Sequence, residues 1–137
     1  MKILFILLFA CSTMMAITAE DAAWVLNAQT SLSQALQKAK KAQKKMVLLV
    51  VVKDGCNWCE MMVHKTLSSK NIKEALSDSV LAVVDLSTPL PKGMHAELTP
   101  TMFFLDAKTG NVVQKNIGYD DPGGFLIDIV SAKEKLP

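Results

Sequence analysis

Apolar positions along the chain fall into three kinds of run. The first is Ile3 to Ala10, unbroken behind Met1-Lys2 and continued, diluted by Cys11, Ser12 and Thr13, to Ile17. The second kind is short and dense in β-branched residues: Met46 to Val52 and Val80 to Leu86 read as strands buried on both faces. Thr101 to Leu105 reads as a third strand, and Val112 to Ile117 follows the turn-rich Asp106 to Asn111 as its hairpin partner. The third kind has helical spacing. Leu32, Ala35, Leu36 and Ala39 share one face of a helix that Ser31-Leu32-Ser33-Gln34 starts as a capping box and that runs to about Lys45. Cys59, Met62, Val63, Thr66 and Leu67 share one face of a helix beginning near Cys56. Ser69 to Leu76 forms a short helix with Ile72, Ala75 and Leu76 at core spacing. Asp121-Pro122 caps a terminal helix whose buried face is Phe125, Leu126, Ile129 and Val130. Ala22 to Leu26 is a short first strand or an anchoring segment, with Trp24 expected on the core.

This order of elements predicts an α/β domain: a central mixed β-sheet flanked by helices on both faces. Residues 20–137 form the domain, and 1–19 are expected to be a signal peptide. The apolar run is long enough for a signal core and too short for a spanning helix, and Ile17-Thr18-Ala19 offers a cleavage site after Ala19. Leu8-Phe9-Ala10-Cys11 offers an alternative, a lipoprotein signal ending before Cys11. Either route takes the domain out of the cytosol, to a periplasmic location in which thiols meet oxidants.

Composition narrows the function. The chain has 137 residues, 50% hydrophobic and 20% charged, which excludes a disordered chain. Its net charge is only +2, and every basic residue is Lys. Without the bidentate Arg fork and without a strong positive field, no nucleic-acid partner is expected. Lys38, Lys40, Lys41, Lys44 and Lys45 read as a solvated face whose charges suit a helix C-terminus, rather than as an anionic partner surface. Three Cys are too few for a disulfide scaffold.

Cys56-Asn57-Trp58-Cys59 stands where a buried strand ends and a helix starts. There the free N–H groups and the helix dipole favour a thiolate on the first Cys. The second Cys lies one turn inward, more shielded and within disulfide reach. Cys56 is therefore the expected nucleophile and Cys59 the expected resolving thiol.

With these residues in place the chain resembles the thioredoxin superfamily, most closely its small secreted bacterial members, over roughly Ser31 to Leu136. The resemblance rests on the strand–Cys-x-x-Cys–helix context, on Thr99-Pro100-Thr101 before an apolar strand, and on Gly118 at the hairpin end. It implies a cis Pro100 packed beside the dithiol, and a groove in which Thr99, Pro100, Trp58 and Gly118 contact substrate. Two departures stand out. The motif lacks the Trp-Cys-Gly-Pro-Cys form of thioredoxins proper. Val50 and Leu81 occupy the positions of the family's buried Asp and its facing Lys.

The function expected is a periplasmic thiol–disulfide oxidoreductase that reduces or isomerises disulfides in exported proteins. Its implied partners are those proteins and a membrane electron donor, or a re-oxidising partner if it works as a dithiol oxidase. No cofactor or metal is expected: Cys56, Cys59, His64 and His95 lack the second close pair of a zinc ribbon, and Glu60 after Cys59 rules out Cys-x-x-Cys-His haem attachment. A monomer is expected. The rival reading is a non-catalytic thioredoxin-fold adaptor. Met61, Met62, Met94 and Met102 read as core or groove lining, and His64 and His95 as solvated.

Overall fold

The computed structural model describes residues 16–137. The apolar run up to Met15, with Cys11 and the lipoprotein-like box, lies outside the described residues. The elements are α1 (Ala19–Val25), α2 (Leu32–Lys41), β1 (Met46–Val52), α3 (Asn57–Met61) continued by a π-helical segment (Met62–Leu67), α4 (Lys70–Ala75), β2 (Ser79–Asp85), β3 (Thr101–Asp106), β4 (Val112–Ile117) and α5 (Pro122–Glu134).

The four strands form one mixed sheet in the order β2-β1-β3-β4. β1 pairs parallel with β2 and antiparallel with β3, and β3 pairs antiparallel with β4. All seven residues of β1 are buried, as a central strand covered on both faces requires. Alternation splits the core. Met46, Leu48, Val50 and Val52 face a cluster containing Cys59, Met62, Phe104 and Phe125. Val47, Leu49 and Val51 face Ala35, Ala39 and Phe103 on the α2 side.

The N-terminal segment differs from expectation. Ala22 to Val25 lie in a helix with Leu26 as its C-cap, so the strand alternative fails while Ala22, Ala23 and Leu26 do anchor the segment in the core; Trp24 is 85% exposed instead of packed there. Among the described residues before α2, the strand-like contact is a parallel bridge from Gln29 to Ala82. Thr18 and Asp21 form a complete capping box, with Asp21 N–H donating to Thr18 Oγ1 at 3.1 Å and the Asp21 carboxylate accepting from the Thr18 N–H at 3.3 Å. Ile17 is buried against the core. At α2, by contrast, Ser31 accepts from the Gln34 N–H while the Gln34 side chain meets Thr30 instead of closing the box, and the helix stops at Lys41.

A cut after Ala19 falls within α1 and removes both Ile17 and its cap. Burial of one Ile and one cap together contribute about 2–4 kcal/mol. A chain starting at Glu20 is therefore expected to unfold at a lower urea midpoint than one starting at Ala16, and equal midpoints would contradict this packing.

The buried face of α5 is Phe125, Ile129 and Ala132, while Leu126 and Val130 are 36% and 50% exposed, contrary to expectation. Asp128 on this helix has its carboxyl held above the ordinary carboxylate range, first by burial and then by the nearby Asp120 charge. A raised folded-state value means the charged form is disfavoured in the fold. Stability is therefore regained as pH falls through that value, and Asp128 is a penalty at neutral pH. Asp128→Asn is expected to stabilise the protein at pH 7 by less than about 1 kcal/mol, because the site is partly solvated, and to have no effect well below the unfolded carboxylate range. Melting curves across that range check it.

Candidate active site

Topology alone gathers the site. β1 and β3 run antiparallel with Val51 opposite Thr101, so the exit of β1 lies beside the entrance to β3. Ile117, the last residue of β4, also pairs with Thr101. Three segments therefore meet at one end of the sheet: Lys53 to Cys56, Leu98 to Pro100, and Gly118 to Asp120.

After β1 the chain turns through Lys53-Asp54-Gly55, closed by the Cys56 N–H donating to the Lys53 carbonyl at 3.3 Å. Gly55 sits at φ +72°, a left-handed conformation that glycine adopts without a Cβ clash. Cys56 then caps α3. The Cys59 N–H points at Cys56 Sγ across 3.1 Å, and Cys56 and Cys59 are joined by a disulfide with Cα atoms 5.2 Å apart. Cys56 is half-buried and Cys59 fully buried, in line with an attacking and a shielded sulfur.

The Thr99–Pro100 peptide bond is cis. Thr99 Oγ1 donates to Cys56 Sγ at 3.3 Å, and the Thr99 carbonyl oxygen lies 3.6 Å from the same sulfur. Pro100 is buried, and its carbonyl accepts from the Gly118 N–H at 2.8 Å. Gly118, at φ +91°, turns the chain there. The partners of Cys56 Sγ are thus all neutral.

Trp58 projects from the first turn of α3 and is 57% exposed. Its ring stacks on Tyr119, with centroids 5.6 Å apart and planes at 29°. Tyr119 was not legible as a site residue from sequence; an aromatic directly after the hairpin-end Gly118 was its only signal. Thr66 was legible only as a core position. It is fully buried, and its hydroxyl donates to the Asp120 carbonyl at 2.6 Å, tying the π-helical segment to the Tyr119 loop. π-helical turns recur beside functional sites.

Val50, at the position of the family's acid, is fully buried among apolar neighbours. His64 is exposed, and His95 pairs with Glu97 across 2.9 Å on the surface. Met62 and Met102 are core residues, with Met61 and Met94 half-buried. Among the described residues no three His, Cys, Asp or Glu side chains converge as metal ligands would.

Known proteins resemble this arrangement. The family model described as a thioredoxin-like domain matches residues 32–127. A thioredoxin from Thermus thermophilus superposes with a TM-score of 0.69 at 25% identity, covering 79% of this chain and 88% of that one. The reduced C-terminal domain of Neisseria meningitidis DsbD gives 0.59 at 19% identity, covering 74% and 93%. The reduced periplasmic thioredoxin SoxS from Paracoccus pantotrophus gives 0.58 at 15% identity, covering 66% and 98%. No curated protein matches the sequence significantly. With the family model spanning most of the chain and a joined Cys-x-x-Cys pair at the start of a helix, the chain belongs to the thioredoxin superfamily of thiol–disulfide oxidoreductases.

Proposed function

We propose that the protein is a periplasmic oxidoreductase that reduces or isomerises disulfides in exported proteins. The observation that carries this reading is the asymmetry of the two sulfurs: Cys56 is half-buried beside Thr99 and Pro100, and Cys59 is sealed in the core. In the reduced protein the Cys56 thiolate attacks one sulfur of a partner disulfide, and the other partner sulfur leaves as a thiolate. The Cys59 thiolate then attacks Cys56 Sγ and releases the second partner thiolate. Two electrons have passed to the partner, and Cys56–Cys59 is left as the disulfide. A membrane-bound dithiol donor returns the two electrons. In isomerisation the first partner thiolate re-attacks elsewhere and no net electrons move.

The Cys59 N–H and the Thr99 hydroxyl both donate towards Cys56 Sγ and favour its charged form, so its pKa is expected below that of a free thiol. Thr99 and Gly118 line the site where an extended substrate segment would form main-chain hydrogen bonds, with Pro100 and Trp58 against its side chains. Val50 offers no proton acceptor for the Cys59 thiol, which favours selected substrates over broad reduction. Likeness to a periplasmic thioredoxin supports the compartment, and the leader-like N-terminus supports export; the intact mass of the exported form distinguishes a start at Glu20 from a lipidated Cys11.

Insulin reduction and scrambled-ribonuclease refolding test the reading. Wild type is expected to catalyse at least one of them and Cys56→Ala neither. If wild type and Cys56→Ala match in both, and also in oxidation of a reduced substrate, the adaptor reading replaces this one.

A further inference from the structure

We propose that Tyr119 determines specificity by positioning Trp58: the stacked pair forms a fixed aromatic wall beside Cys56, which selects partner disulfides flanked by an aromatic or large aliphatic side chain. The inference rests on the reduction reading above and deepens it. Trp58 lies between the two cysteines, and more than half of its surface is open. An indole so placed samples several rotamers unless something holds it. Tyr119 supplies the hold, stacked at 5.6 Å, and is itself held from both sides. On one side the Gly118 N–H donates to the Pro100 carbonyl at 2.8 Å; on the other the Asp120 carbonyl accepts from the buried Thr66 hydroxyl at 2.6 Å. The stack is thus referenced both to the Pro100 loop and to the helix that carries Cys59.

Leu98, 64% exposed, adds apolar surface on the neighbouring segment that leads to Pro100. A partner sulfur attacked by Cys56 has to reach this end of the sheet. The residue beside that sulfur meets the wall, and an apolar side chain there releases water from both surfaces.

The test uses pre-reduced protein in single turnover with two peptides. Each carries one intramolecular disulfide, and they are identical except that Leu or Ser follows the first Cys. Cys56 and Cys59 supply both electrons, so no further reductant is needed. Wild type is expected to react about three- to tenfold faster with the Leu peptide, the range an aromatic contact supplies. Tyr119→Phe is expected to keep that ratio, while Tyr119→Ala and Trp58→Ala bring it towards one. Because each variant is read as a ratio, a general loss of thiol reactivity cancels. In a Trp24→Phe background, Trp58 emission anisotropy is expected to fall in Tyr119→Ala. A wild-type ratio near one, or a Tyr119→Ala ratio equal to wild type, overturns the proposal and leaves the reduction reading standing. Peptide reduction by Cys56→Ala at the wild-type rate overturns both.

Discussion

Cys59→Ser is expected to accumulate covalent complexes with its partner proteins, and Cys56→Ala to form none. The asymmetry follows from burial. Cys56 is the sulfur a partner reaches, and the fully buried Cys59 reaches only Cys56, across one helical turn. With Ser in place of Cys59 the first exchange proceeds and the second has no attacking thiolate, so the mixed disulfide persists and turnover falls to background. Non-reducing gels of alkylated extracts, followed by mass analysis of the bands, show which cysteine carries the partner. Complexes formed equally by Cys56→Ala would place the nucleophile elsewhere.

The largest loss of stability is expected from Phe104→Ala. Phe104 is fully buried in β3, pairs across to Leu48 of β1, and meets the Phe125 ring of α5 at 5.8 Å. It therefore joins the sheet to the terminal helix. Removing such a ring costs about 3–5 kcal/mol. That is a large share of the roughly 5–15 kcal/mol by which domains of this kind are stable. Urea unfolding measures the difference. Trp24→Ala provides the contrast: at 85% exposure its expected effect is within about 0.5 kcal/mol. A cost comparable to that of Phe104 would contradict the packing described for α1.

The difference between these two aromatics shows what was legible in the sequence. Phe104 sits in a dense apolar run bounded by turns, where periodicity and length agree on a buried strand. Met46 to Val52 was legible for the same reason, and Val112 to Ile117 as the hairpin partner after a turn-rich stretch, both to the residue. Ala22 to Leu26 was not, because a five-residue apolar stretch fits a strand or a helical turn equally well. The signal that decides it, the Thr18–Asp21 capping box, overlaps residues that also read as a leader. In α5 the apolar stripe is wider than the surface it covers. Phe125, Ile129 and Ala132 enter the core with Met62, Ile72 and Phe104, and Leu126 and Val130 stay partly exposed.

At the site, Cys56 and Cys59 were legible from their motif between a strand and a helix, and Thr99, Pro100 and Gly118 from the resemblance to the thioredoxin superfamily. The Trp58–Tyr119 stack was not, because it depends on the register that brings Ile117 opposite Thr101. A partner 61 positions away along the chain leaves no local trace.

The central claim is that Cys56–Cys59 donates electrons to, or rearranges, partner disulfides, and the measurement that tests it most directly is redox equilibration with glutathione. Strong dithiol oxidants owe their potential to a strongly stabilised reduced form. Here the groups at Cys56 Sγ are one N–H, one hydroxyl and one carbonyl, all neutral, so its thiolate is only moderately favoured. A single two-electron transition is expected at about −180 mV or lower, in the range of isomerases and reductants. A transition near about −120 mV, the range of a dedicated oxidant, or no reversible transition at all, would contradict the account.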